Sequence, residues 1–211
     1  MKVLRFSKHL NKTELGRGNT HEGYFYLNKQ IAGKLLQYLP DAEIPIEFHE
    51  KGSQNKMITR LTIGREYRLP GLGEFFQSID LQTEDLIVLE FRKDDGGGID
   101  YFYEIKRDPN SIAVDFNDGL GFEILSAEEK ISLLASAYVK SKNGEYLPIS
   151  FGNRTLKKKR EDSPEPTPFY DLLIDGKAFT PKKNGTYLIT VKEGVAFMKP
   201  YNSWMISEGE E

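Results

Sequence analysis

The chain has 211 residues, 38% of them hydrophobic and 29% charged, with a formal net charge of −3. That length suits one domain, or one with an appendage, and the composition describes a globular chain rather than a disordered one. The absence of cysteine excludes disulfides, thiolate zinc sites and cysteine nucleophiles, and no apolar run approaches the length of a membrane span.

The first residues, with Lys2, Arg5 and Lys8, lack the apolar centre of a secretory leader, so a cytoplasmic protein is expected. A polar loop follows. Lys12, Thr13, Glu14, Arg17, Asn19, Thr20, His21 and Glu22 crowd donors and acceptors of nearly every kind into it, and Gly16, Gly18 and Gly23 keep its backbone permissive. Such a loop is either an ordinary solvated one or made to touch a polar partner. Residues 23–27, with Tyr26, form a short aromatic strand. Residues 30–39 carry Ile31, Leu35, Leu36 and Leu39 at helical spacing, with Pro40 as the stop. Residues 44–49 alternate as a strand, and Pro45 favours a sheet edge. Residues 56–63 alternate clearly, with Arg60 outward.

A second polar segment spans 64–74 and holds Arg65, Glu66, Tyr67 and Arg68. Strand-like residues 75–79 follow it. Residues 86–91 and 99–105 form a hairpin around the turn at 94–98. Residues 127–139 are predicted as the second helix, with Ser126 as N-cap and Glu129 completing a capping box. Further strands are expected at 146–151, 170–174, 186–191 and 195–199. The result is a mostly β chain with two helices, an open barrel or sandwich with helices at its ends.

Net charge conceals a split. Basic groups occur in residues 1–20, at Arg60, Arg65 and Arg68, and at Arg154 with Lys157, Lys158, Lys159 and Arg160, while the end of the chain is acidic. Basic patches on a weakly acidic body mark a protein that binds a polyanion on one face; for residues 157–160 a solvated turn is an equal alternative. Residues 163–168 read as a proline-rich loop or linker. They divide a domain at 1–162 from residues 169–211, which are either extra strands of that domain or a bridge to a further one.

Leu10, Glu14, Gly16, His21 and Tyr26, followed by Ile31, Lys34 and Leu35 at matching spacing, resemble the N-terminal effector domain of EcoRII-type restriction endonucleases. The strand at 84–91 and its glycine hairpin share the likeness. The resemblance implies a DNA-binding pseudobarrel whose two arms grip the major groove from either side. It implies a monomeric reader of double-stranded DNA in the bacterial cytoplasm, recognising a short CCWGG-like pseudopalindrome. No cofactor is expected for this domain, with Mg²⁺ needed only by a separate, covalently linked nuclease domain. The first arm would be residues 11–22, with His21 and Tyr26 matching positions that contact DNA, and the second arm residues 64–74. Arginine forks suit guanine and carboxylates suit cytosine N4, whereas Lys12, Lys157 and Lys158 suit phosphates. For Tyr26 the alternative is a core or strand-face aromatic, and for Arg60 an exposed strand cation. The alternative function is a metal-dependent nuclease built on Asp100, Glu104 and Lys106, with Asp94 and Asp95 upstream.

Overall fold

Apolar alternation dictates strands over most of this chain, and a computed structural model describes them over residues 1–17, 22–154, 166–201 and 204–210. The chain divides into two compact units, Met1–Arg107 with Asn202–Glu211, and Asp108–Tyr201. Among the described residues no helix is long and apolar enough to cross a membrane.

The first unit contains β1 (Lys2–His9), β2 (Phe25–Leu27), α1 (Lys29–Leu35), β3 (Pro45–Glu50), β4 (Lys56–Arg60), β5 (Thr62–Ile63), β6 (Tyr67–Leu69), α2 (Gly73–Ser78), β7 (Leu86–Lys93), β8 (Ile99–Lys106) and the last strand of the chain, Trp204–Glu210. Its main sheet has six strands in the order last strand, β1, β7, β8, β3, β4, and β2, β6 and β5 form a separate three-stranded sheet. Phe6, Phe48, Phe91, Tyr103, Phe25 and Phe76 anchor the core, all at most 1% exposed. Phe91 meets Phe48 edge-on at 5.8 Å, and Phe76 meets Phe25 at 5.7 Å, geometries that favour ring quadrupoles.

Helix α1 starts where Asn28 accepts a hydrogen bond from the Ile31 N–H at 2.9 Å, an N-cap. Ile31 and Leu35 are buried as expected, but the helix stops well before Pro40 and Leu36 is 36% exposed. Pro45 begins β3 beyond the stretch paired with β8, which covers only His49 and Glu50. A missing N–H is therefore tolerated there although β3 is an interior strand. The strand expected at 75–79 is instead α2. Phe76 turns into the core from it, and the Leu72 N–H, one residue ahead, donates to the Gly23 carbonyl at 2.9 Å, so tertiary packing overrides the β preference of the aromatics.

Alternation turns Glu90 of β7 away from that core, between Arg5 of β1 and Phe102 of β8. Its side chain is 1% exposed. It accepts from Lys51 at 2.6 Å, from Arg92 at 2.8 Å and from Arg5. Burial pushes the carboxyl up, but these three hydrogen bonds outweigh it and hold Glu90 at about 2.

The second unit contains β9 (Ser111–Asn117), β10 (Gly121–Ile124), a 3-10 helix (Glu128–Leu134), β11 (Tyr138–Lys140), β12 (Tyr146–Asn153), β13 (Tyr170–Ile174), β14 (Lys177–Phe179), β15 (Gly185–Lys192) and β16 (Val195–Pro200). The strand order is β10, β9, β15, β16, β11, β12, β13, β14, and β10 also pairs with β13, so the first seven of these strands close into a barrel. Closure removes exposed edges. Ile112, Val114, Phe122, Ile149, Leu172 and Ile189 fill its interior.

Residues on either side of the 163–168 segment share one sheet, since Phe122 pairs with Tyr170, and the last strand of the chain pairs with β1 in the first unit; residues 163–165 lie outside the described ones. The helix expected at 127–139 is the shorter 3-10 helix without a side-chain cap. Ser126 Oγ instead accepts from the Ala113 N–H at 2.8 Å, a partner on β9.

Candidate nucleic-acid interface

The first arm begins as a tight turn. The Leu15 N–H donates to Asn11 O at 3.0 Å and the Arg17 N–H to Lys12 O at 2.9 Å. Gly16 takes φ +74°, which favours glycine there. Glu14 does not project from this turn. It is 3% exposed, pairs with the Lys8 ammonium, and accepts from the Tyr26 N–H at 2.9 Å and the Asn11 N–H at 3.4 Å. Its expected contact with bases is therefore corrected: Glu14 roots the arm. Burial lowers the Lys8 pKa, and Glu14 opposes that shift.

Arg17 is engaged too. Its guanidinium donates to Gln82 Oε1 and to Leu81 O, both at 3.0 Å, and so fastens the arm to the chain after α2. Thr13 and Glu22 are exposed and Lys12 is half-buried. Asn19, Thr20 and His21 lie outside the described residues, as do Lys157 and Lys158.

The second arm is not a free loop. Gly64, Arg65 and Glu66 form its turn, where the Gly64 N–H donates to Glu66 O at 3.2 Å, and β6 follows immediately. Strand β6 pairs with β2, so Phe25 faces Leu69, Tyr26 faces Arg68 and Leu27 faces Tyr67. The strand that follows the first expected arm therefore pairs with part of the second, and residues of the two strands alternate across one small sheet. Phe25, Leu27 and Leu69 point into the core, while Tyr26, at 37% exposed, and half-buried Arg68 share the other side.

Arg68 is held on two sides. Its guanidinium lies over the Tyr24 ring, 4.5 Å from the centroid, and its Nε donates to Glu66 Oε2 at 3.1 Å. The Glu66 hydrogen bond raises Arg68 further above its usual pKa. Burial raises the Tyr24 phenol, and the nearby guanidinium partly offsets this. Both cation and neutral ring thus persist across ordinary pH. Tyr24 was not among the residues singled out by sequence; only the pairing of β2 with β6 reveals it as Arg68's platform.

Beside this sheet opens a groove of about 710 Å³, lined among others by Glu22, Thr59, Arg60, Arg68, Glu43 and Glu74. Arg60 pairs with Glu43 at 2.8 Å, both well exposed, a contact worth little in water. Carboxylates outnumber guanidinium groups around the groove, so it is no simple phosphate trough.

Gly23 joins the two arms. A Cβ built on it would lie 2.4 Å from the Gly73 nitrogen and 2.7 Å from the Leu72 carbonyl carbon. Because both obstacles are backbone, Gly23→Ala is expected to cost about 1–3 kcal/mol or more through overpacking. Urea unfolding of the variant measures this, and an unchanged midpoint would show that the contact yields freely.

The alternative nuclease residues do not converge. Asp100 and Glu104 lie four residues apart on β8, roughly 13 Å along a strand, whereas ligands of one magnesium ion each lie about 2 Å from it. Lys106 is 4.0 Å from Glu104, in an exposed pair, and Asp94 accepts from the Gly98 N–H in the hairpin turn at 2.8 Å.

No family model matches the chain. No curated protein matches it either. Among solved structures the chain is similar to the Arabidopsis FUS3–DNA complex, with 20% identity and a TM-score of 0.36, over 48% of this chain and 94% of that one.

Proposed function

We propose that the first unit recognises double-stranded DNA by sequence, using the β2–β6 sheet and the adjoining groove. The observation that carries this is Arg68, its guanidinium oriented over Tyr24 and tethered by Glu66 at the groove's rim. A fork fixed before binding loses less side-chain entropy on meeting a guanine edge. Glu22, Glu43, Glu66 and Glu74 would be repelled by phosphates, but a carboxylate can accept from cytosine N4 in the major groove. Tyr26 and the turn at Arg65 extend the same surface. On the family resemblance, the chain acts as an effector or target-recognition module of a restriction endonuclease, with a short CCWGG-like target. Hydrolysis and its Mg²⁺ would belong to a separately folded nuclease domain.

Arg68→Ala tests this. In gel-shift titrations the variant should lose about 1–3 kcal/mol of discrimination at one base pair while keeping non-specific affinity. Arg65→Ala should weaken all duplexes alike and reduce the salt slope by about one. Uniform weakening by Arg68→Ala would overturn the assignment of base reading to that residue.

A further inference from the structure

The second unit carries a surface that duplex recognition by the first does not use. Register along β15, β16, β11 and β12 fixes which side chains share the barrel's outer wall. Thr190 faces Phe197 and Lys192 faces Val195. Val195 lies level with Tyr138, Tyr138 faces Pro148, and Lys140 faces Tyr146. Because β11 and β16 run parallel, Phe197 and Lys140 lie two residues further along in the same direction. Phe197, Lys140 and Tyr146 thus form one row across three strands, with Val195, Tyr138 and Pro148 in the row beside it.

Three aromatics on this wall are open to solvent: Tyr138 is 44% exposed, Phe197 56% and Tyr146 57%. Their neighbours Ala137, Ala196 and Ile149 point into the barrel and are buried, so alternation, not a loose fold, turns the rings outward. Lysines interleave with them. Lys140 is 5.9 Å from the centroid of the Tyr146 ring, and Lys192 and Lys199 are exposed on the same face. The nearest acids in sequence, Glu145 and Glu193, belong to the turns at the strand ends. An exposed aromatic cluster marks an interaction surface. Lysine is depleted at the cores of protein–protein interfaces, whereas aromatic faces among cations suit unpaired bases on a phosphate chain.

We infer that this wall is a stacking platform for a single strand of nucleic acid. Tyr138, Tyr146 and Phe197 would stack against bases, and Lys140, Lys192 and Lys199 would meet the phosphates. Strand spacing puts Phe197 and Tyr146 roughly 10 Å apart, with Tyr138 between their two strands, so a short stretch of unpaired nucleotides spans the platform. Stacking reads no sequence, which contrasts with the base-edge chemistry proposed for the first unit. This inference is independent of that reading.

Fluorescence anisotropy with labelled dT12, which cannot pair with itself, tests the platform on the full chain. Tyr146→Ala and Phe197→Ala should each weaken binding roughly five- to hundredfold, with thermal unfolding unchanged because both rings are exposed. Three phosphate contacts should give a slope of about −2 in log affinity against log salt, lowered in magnitude by Lys140→Ala. Arg68→Ala should leave dT12 binding intact, which separates this outcome from failure of duplex recognition. A parallel rU12 titration distinguishes DNA from RNA as the natural strand. Absence of dT12 and rU12 binding, or binding unchanged by the aromatic substitutions, overturns the inference. Self-association abolished by Phe197→Ala, without oligonucleotide binding, would overturn it in favour of a protein partner.

Discussion

Replacing Glu14 with alanine should destabilise the protein by about 3–5 kcal/mol, the usual cost of leaving a buried charge without its partner. The Lys8 side chain is only 4% exposed, so its ammonium cannot turn to water when the carboxylate goes. The same substitution strands the Tyr26 and Asn11 N–H groups, and Tyr26 is the middle residue of the strand ladder shared with β6. Two consequences distinguish this mechanism from simple loss of packing. First, burial already depresses Lys8, and removing Glu14 depresses it further. The folded variant then binds fewer protons than the unfolded chain until pH approaches the ordinary lysine value of 10.5. The parent's Lys8 is depressed as well, so the deficit should narrow as pH rises from the variant's Lys8 value to the parent's and stay level from there to 10.5. Second, Lys8→Met combined with Glu14→Leu should recover most of the loss, since well-packed apolar replacements of buried pairs are often neutral. Urea unfolding at several pH values measures both. A Glu14→Ala variant of wild-type stability would refute the buried pair as the root of the arm.

Glu90 dominates the expected acid response. Its carboxyl is held at about 2 against an ordinary 4.5, which is worth about 3 kcal/mol at roughly 1.4 kcal/mol per pH unit. Because the folded value is depressed, the stabilisation is present above pH 4.5 and is lost as pH falls toward 2. Glu90→Gln should lose a comparable amount at neutral pH, as Arg5, Lys51 and Arg92 would then crowd a neutral amide. Its unfolding free energy should also fall less steeply between pH 4.5 and 2 than that of the parent. Parallel acid limbs for parent and variant would contradict the assignment.

Local patterns made part of this fold legible. The β7–β8 hairpin follows from apolar strand sequences on either side of a glycine turn in which Gly97 takes φ +90°, and α1 follows from the helical spacing of Ile31 and Leu35. Strand β1 was hidden because Arg5 and Lys8 interrupt its apolar run. Their charges are balanced by Glu90, 85 residues away, and by Glu14 across the first arm. Helix α2 was hidden because Phe75 and Phe76 read as strand residues until Phe25 and Gly23 are placed against it. The barrel of the second unit was only partly visible, since its closure depends on the Phe122–Tyr170 pairing, which no local pattern encodes.

The same division holds for the candidate site. Density of polar groups pointed to both arms, and Tyr26 and Arg68 do face each other. The assignment of Glu14 to bases failed because a buried carboxylate and an exposed one look alike until Lys8 is located. Arg17 was similarly open to misreading, as its partners Leu81 and Gln82 lie far along the chain.

Selection of bound duplexes from a random pool decides whether the β2–β6 surface reads base sequence. Enrichment of one short motif by the parent chain is expected, with loss of preference at one position of that motif on Arg68→Ala. Retention of every duplex in proportion to its abundance, with binding that depends only on salt, would contradict it.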